Sequence, residues 1–424
     1  MATMDQVRTA TRDQHEEMRR RLQEPYVPRR VALPAATGNL VRAVLGPRRA
    51  GKSLFAMHLL EREGAGIYLN FDDERLTGID DYDALLSVAQ QEYGPAQAIL
   101  LDEVQNLPRW ELFVNRLQRQ GWRIIVTGSN AHLLSSELST HLTGRHLPVV
   151  LMPFSLREFA DALKVPASQP GLLARYARQG GLPEPLLQNM NAEAYTSALV
   201  DSVVLKDVIQ RFHLRALQSL GQLTRYMLSN IGSEYAHAAL TRVVGCRSDK
   251  TVERYLHYLR QAFLLLSVPR FSWSVRQQAA TNKKAYAVDS GFAAARGFAV
   301  STGIGRLAEN AVASALYRRQ LQGELEFFFW KSQQNHEVDF VVKEGTAVTA
   351  LVQVCWDASE PDVRQREERA LLRAGSELKC SSLLVLTQDE QRDDVVAWFG
   401  LKAAVRYIPL WQWLLSQDEG LQTY

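Results

Sequence analysis

Gly46-Pro47-Arg48-Arg49-Ala50-Gly51-Lys52-Ser53 decides the fold. It follows a short apolar run, Leu40–Leu45, and opens a segment of helical period, Ser53–Glu63. A Gly-x-x-x-x-Gly-Lys-Ser loop between a strand and a helix is a Walker A pattern. Gly46 and Gly51 permit the tight path by which backbone N–H groups wrap phosphates. Lys52 supplies positive charge to the β- and γ-phosphates, and the Ser53 hydroxyl can ligate Mg²⁺. These eight residues, with Leu54 on the first helical turn, are the predicted ATP-binding residues.

Downstream, Ala98-Ile99-Leu100-Leu101-Asp102-Glu103 is an apolar strand ending in two carboxylates, a Walker B pattern. Asp102 is expected to hold Mg²⁺, and Glu103 to orient and activate the attacking water. The next strand ends Val126-Thr127-Gly128-Ser129-Asn130. Its tip is expected between the two Walker motifs, where Asn130 or Ser129 could sense the γ-phosphate. Either residue would also serve as an ordinary helix N-cap. Arg145, in Thr143-Gly144-Arg145, could reach the γ-phosphate in a neighbouring subunit as an arginine finger, or be a surface or structural arginine.

The chain has 424 residues, 22% charged and 46% hydrophobic, with a net charge of +3. That size admits two or three domains of soluble type. No apolar run is long enough for a membrane-spanning helix, and the polar start, Met1–Arg21, lacks a secretory leader's apolar stretch. Cys246, Cys355 and Cys380 are too scattered for a disulfide framework or a CxxC zinc site, so a reduced, cytoplasmic protein is expected.

Buried strands alternating with helices, Gly66–Phe71, Ala98–Leu101 and Arg123–Thr127 among them, predict an α/β domain on a mostly parallel sheet. From Phe154 to about residue 262 the period is helical, broken at Gly180-Gly181-Leu182-Pro183. Strands return at Phe263–Val268, Tyr286–Val288, Glu326–Trp330, Val338–Val342, Ala350–Val354 and Ser382–Leu386. The expected division is 1–34, a polar helix and linker; 35–165, the ATP-binding domain; 166–215, a helical lid; 216–284, a winged-helix segment; and 285–424, a C-terminal α/β domain.

Several stretches together resemble prokaryotic AAA+-like P-loop ATPases that carry a C-terminal restriction-endonuclease-like domain of unknown function. They are GPRRAGKS (46–53), IYLNFDDERL (67–76), LLDEVQNLPRWE (100–111), IIVTGSNAHLLSSEL (124–138), LTGRHLPVVLMPFSLREF (142–159) and GGLPEPL (180–186). KTVERYLHYLRQAFLLLSV (250–268), KKAYAVDSGF (283–292) and HEVDFVV (336–342) continue the likeness. The resemblance implies an AAA+-type ATPase, a winged helix and a nuclease-like fold. It also matches Arg145 to the family's Gly-Arg position.

Ser248–Leu256 reads as a capped helix start behind a shorter helix, the layout of a helix-turn-helix. Between Leu240 and Lys284 there are nine Lys/Arg and two Asp/Glu. Such an excess suits phosphate contacts, with Arg247, Lys250 and Arg254 as the nucleic-acid candidates. The same layout also serves as a packing or protein-contact module.

Nucleases of the restriction-endonuclease type pair an Asp on one strand with Glu-x-Lys on the next. Glu309 fits an accompanying helical acid and Asp339 the strand Asp, but Gln353 stands where Glu is expected and Cys355 where Lys is. The nuclease-like site is therefore read as degenerate and without cleavage. The expectation is an ATP-hydrolysing switch or motor, oligomeric, acting on DNA or a protein partner. An ATP-dependent nuclease and an ATP-liganded DNA-binding regulator are the alternatives.

Overall fold

The run before the phosphate loop forms a strand between two others. The chain, seen in a computed structural model, is described over residues 3–33, 40–76, 78–129, 145–215, 217–297, 303–419 and 421–424. One unit comprises residues 1–152 with 420–424, the other residues 153–419.

In the first unit, β1 is Arg30–Val31, β2 Val41–Leu45, β3 Gly66–Asn70, β4 Ala98–Asp102, β5 Arg123–Gly128 and β6 His146–Val150. Strands β2 to β6 form a parallel sheet in the order β3-β4-β5-β2-β6. Alternate residues go to opposite faces. Val41, Ala43, Leu45, Ile99 and Leu101 pack with residues of α1 (Met4–Arg21), α3 (Tyr82–Tyr93) and α4 (Trp110–Arg119). Val44, Tyr68 and Leu100 pack on α2 (Lys52–Arg62) through Phe55, Leu59 and Leu60. Helix α1 starts with a Thr3–Gln6 capping box and buries Val7 and Ala10. Helix α1 is therefore part of this unit. Strand β1 pairs antiparallel with a strand from the far end of the sequence, Gln422–Thr423.

The second unit is mixed. Strands β7 (Glu234–Tyr235), β8 (Leu265–Pro269) and β9 (Lys283–Ala287) form an antiparallel sheet in the order β7-β9-β8. Helices His237–Val243 and Asp249–Gln261 lie between β7 and β8 in sequence. Strands β10 (Glu326–Lys331), β11 (Glu337–Glu344), β12 (Ala347–Val354), β13 (Leu383–Thr387), β14 (Arg392–Trp398) and β15 (Leu401–Pro409) form a second sheet. Its order is β10-β11-β12-β13-β15-β14, with β12, β13 and β15 parallel and the other pairs antiparallel. Helix Pro361–Leu378 makes the crossover between β12 and β13 and packs Leu371, Leu372 and Ala374 into that core.

The first unit closes at Met152, ahead of the expected boundary at 165, and two further boundaries differ from the sequence expectation. A division at 284/285 would cut β9, whose residues pair along their whole length with β8. Residues 420–424 belong with the first unit, not with 285–424.

The motif Gly180-Gly181 has a structural reason. Asp289 accepts hydrogen bonds from Gly181 N–H (2.7 Å) and Gly291 N–H (2.8 Å). A Cβ at residue 180 would lie 1.7 Å from Asp289 Oδ1. Burial first pushes the Asp289 carboxyl up to about 6, while those two N–H groups and Arg318 oppose the rise.

Candidate nucleotide site

Strand β2 delivers the chain into the loop at Gly46, where φ is +150° and a Cβ would meet the Leu151 carbonyl at 2.0 Å. Only glycine allows β6 to run on so close beside it. Arg49 takes a left-handed conformation (φ 63°), and Gly51 (φ 90°) starts α2 without a side-chain cap. With no side chain capping it, the start of α2 is the kind of helix N-terminus at which anions are bound. Lys52 is buried, and its Nζ donates to the Pro47 carbonyl at 2.9 Å, across the mouth of the loop. Arg49 is exposed, while Arg48, Ser53 and Leu54 are half-buried.

The sheet order sets β5 between β2, which leads into the loop, and β4, which ends in the carboxylates. Asp102 is 1% exposed. Tyr68 donates to its Oδ2 at 3.2 Å, and the Thr127 hydroxyl donates to its Oδ1. Burial raises its pKa most, then the neighbouring Glu103. Hydrogen bonds from Thr127 and Ser53 and the charge of Lys52 act in the opposite sense. Ser53 and Lys52 of the loop thus favour the charged form of the carboxylate that ends β4.

Glu103 is held in the left-handed region (φ 50°, ψ 48°). Its N–H donates to Thr127 Oγ1 at 3.0 Å, Ser129 donates to its carboxylate at 3.3 Å, and Gln105 donates to the same oxygen. A non-glycine residue in this conformation costs about 1–3 kcal/mol unless its surroundings enforce it. Here Thr127 ties the Glu103 backbone and the Asp102 carboxylate together. The sequence reading passed over Thr127 in favour of the residues beyond it. The available signal was that Thr127 is the last polar residue within the apolar run before Gly128, at the strand end where the Walker chemistry lies.

Asn130 lies outside the described residues. Arg145 is exposed at the start of β6, where its carbonyl accepts from Val41 N–H (3.1 Å) and Gln118 (3.2 Å). The register pairs Val41 with His146, so Arg145 stands at the opposite end of β2 from the loop. Five residues at roughly 3.3 Å each span about 16 Å, too far for an arginine to reach its own loop.

In the second unit the nuclease candidates come together around an unexpected cation. Lys284, on β9, is 2% exposed. Its Nζ lies 2.7 Å from Glu337, 3.2 Å from Asp339 and 3.4 Å from Glu309. Tyr286, on the same face of β9, donates to Glu309 at 2.6 Å. Burial alone would lower the Lys284 pKa, but Tyr286, Glu309, Asp339 and Glu337 together raise it well above the usual lysine range. Glu309 is pushed upward by burial and then by Asp339. Gln353 accepts from Asp339 N–H (3.1 Å) and donates to Glu367 on the helix Pro361–Leu378. Cys355 is a buried thiol, pushed up to about 11 chiefly by burial, and donates to the Asp357 carbonyl.

From sequence, Lys284 counts in a basic excess and in the stretch KKAYAVDSGF, with no role at the nuclease-like site. The missed signal was period two: Lys284 and Tyr286 share one face of their strand, and Glu337 and Asp339 share one face of theirs. Arg247, Lys250 and Arg254 are all exposed. Among the described residues no group of three or more His, Cys, Asp or Glu converges to hold a metal ion. No helix among them is long and apolar enough to cross a membrane.

Residues 39–160 match a family described as an AAA domain. Residues 171–302 and 304–404 match two domains of unknown function, DUF8612 and DUF4143. The chain is similar to an uncharacterized protein of Methanocaldococcus jannaschii, 27% identical over 405 residues that cover 89% of each. It is also similar to an uncharacterized protein of Haemophilus influenzae, 27% identical over 345 residues, 76% of this chain and 84% of that one. The parallel five-stranded sheet, the loop at the end of β2 and the match over residues 39–160 mark this part of the chain as an AAA-like P-loop ATPase-type domain.

Proposed function

We propose that the loop at residues 46–53 binds ATP with Mg²⁺ and that Glu103 directs its hydrolysis. The observation that carries this reading is the link Asp102–Thr127–Glu103 beside Ser53 and Lys52. The donor set fits Mg²⁺: the Ser53 hydroxyl and the buried Asp102 carboxylate would hold it, and a dication would relieve the negative charge of Asp102 beside Glu103. When bound, Mg²⁺ supplies positive charge at the β- and γ-phosphates.

The chain's own residues then divide the work. Backbone N–H groups of the loop and of the start of α2 orient the phosphates. Lys52 exchanges the Pro47 carbonyl for phosphate oxygens. Glu103, fixed by Thr127 and Ser129, presents its carboxylate to water and accepts its proton as the water attacks. Arg145 can act only toward a neighbouring copy.

The second unit is the part that ATP moves or senses. We read β7–β9 and their helices as a winged helix that meets DNA or a protein partner. The exposure of Arg247, Lys250 and Arg254 supports DNA, as does the connection after β8, where Trp273 is 63% exposed. We read the sheet β10–β15 as nuclease-like and without cleavage. Lys284 already supplies the positive charge that a catalytic dication would bring to Glu309 and Asp339. Mg²⁺-dependent cleavage of DNA or RNA by the purified protein, lost in Asp339→Ala, would contradict this. Phosphate release from ATP, compared between wild type, Lys52→Ala and Glu103→Gln, tests the ATPase reading.

A further inference from the structure

Arg29 lies in the proline-broken stretch between α1 and β1, yet it is 3% exposed. Its guanidinium forks beneath the loop. Nη1 donates to the Ala50 carbonyl at 2.7 Å and Nη2 to the Met152 carbonyl at 2.6 Å. The backbone of Arg29 is itself clamped: its N–H donates to Tyr424 O at 2.7 Å, and Tyr424 N–H donates to Arg29 O at 2.9 Å. The pairing continues as Arg30 opposite Thr423 and Val31 opposite Gln422. The Tyr26 hydroxyl also donates to Tyr424 O, at 3.1 Å, while its ring packs on His58 of α2 with centroids 4.0 Å apart. The Arg62 guanidinium, on α2, covers the Tyr424 ring at 5.0 Å.

A trans peptide carries its carbonyl and the next N–H in opposite directions. No cis peptide occurs among the described residues. Fixing the Ala50 carbonyl from below therefore fixes the Gly51 N–H on the other side, where phosphates are received. The second bond, to Met152, ties the same guanidinium to the segment that leaves β6 beside Gly46. A bidentate, charged donor has the rigidity for such a task.

We propose that Arg29 is a positioning residue for the phosphate-binding loop. The strand Gln422–Thr423, by clamping Arg29, makes nucleotide affinity depend on the segment that follows residue 419. This rests on the reading that the loop binds ATP. Removing the fork leaves the Ala50 carbonyl unpaired and the Gly51 N–H free to turn.

The test is steady-state ATP hydrolysis with Mg²⁺, and binding of a fluorescent N-methylanthraniloyl-ATP, for wild type, Arg29→Met, Arg29→Lys and Tyr424→Pro. The last variant removes the N–H that holds Arg29 and leaves the guanidinium in place. The expected result is a KM for ATP raised about tenfold or more in Arg29→Met, less in Arg29→Lys, and in the same direction in Tyr424→Pro. Turnover at saturating ATP should stay within about threefold of wild type. A purely structural role has another signature: the unfolded fraction is silent, so the maximal rate falls while KM stays put. KM unchanged in Arg29→Met, or in Arg29→Lys and Tyr424→Pro if Arg29→Met does not fold, overturns the proposal while wild type binds ATP. Absence of ATP binding by wild type overturns the ATP reading, and this proposal with it.

Discussion

Replacing Lys284 by Met should cost the second unit about 3–5 kcal/mol, the range for removing one partner of a buried ion pair. Met fills nearly the same volume, so little of this is lost packing. What disappears is an ammonium 2.7–3.4 Å from three carboxylates. Glu337 is 31% exposed and can turn to water, so its share is small. Asp339 and Glu309, 10% and 15% exposed, carry most of it. At an effective dielectric of about 20, each contact near 3.3 Å is worth roughly 5 kcal/mol of Coulomb energy. Desolvation of the lysine offsets much of that sum. Glu309, already pushed up to about 7 by burial and then by Asp339, can take a proton and relieve the cluster, so the penalty should be largest at pH 8 and smaller at pH 5. Adding Glu309→Gln should return part of it. The readout is hydrogen exchange at Val354, whose N–H donates to Asp339 Oδ2 at 3.0 Å, because exchange reports this unit's opening separately from the first unit's. A loss below about 1 kcal/mol at pH 8, or no recovery with Glu309→Gln, would refute the view of Lys284 as the cluster's own cation.

Three further outcomes are expected. Gly46→Ala should destabilise the first unit by about 2 kcal/mol or more and abolish ATP binding, since its Cβ would press on the Leu151 carbonyl; thermal unfolding and a nucleotide titration check this. Asp289, whose pKa is raised to about 6 from 3.8 in the folded chain, should make stability fall as pH rises from about 4 to 6, because the unfolded chain ionises first. Urea unfolding at the two ends of that window should show this contribution, about 3 kcal/mol, vanish in Asp289→Asn. If the winged-helix segment binds DNA, Lys250→Ala and Arg254→Ala should each lower the slope of log affinity against log salt by about one, and unchanged slopes would argue for a protein partner.

Strands β2 to β5 were legible because strands buried on both faces are written as apolar runs, and β2, β4 and β5 end in recognisable chemistry. Strand β6 was not read as a strand: its sequence begins His146-Leu147-Pro148, and proline is tolerated there because β6 is the sheet edge. Strands β14 and β15 were missed for a related reason. Strand β14 alternates half-buried with exposed residues throughout, as does the first half of β15, and Arg392, Asp393 and Asp394 of β14 mimic a solvated loop. At the nucleotide site, Gly46, Lys52, Ser53, Asp102 and Glu103 could be named from local pattern alone. Thr127 and Arg29 could not, since their roles come from contacts between distant segments. Arg29 was hidden further by Pro25, Pro28 and Pro34, which read as a linker. Lys284 was hidden by its exposed-type chemistry: a lysine beside Lys283 suggests surface until strand alternation is applied.

The function proposed for residues 46–53, with Asp102 and Glu103, is ATP hydrolysis. It is tested most directly by phosphate release from ATP with Mg²⁺, measured together with ATP binding, for wild type, Lys52→Ala and Glu103→Gln. The prediction is turnover by wild type, loss of both binding and turnover in Lys52→Ala, and retained binding with turnover lowered about a hundredfold or more in Glu103→Gln. Equal turnover by all three chains, or none by wild type, would contradict it.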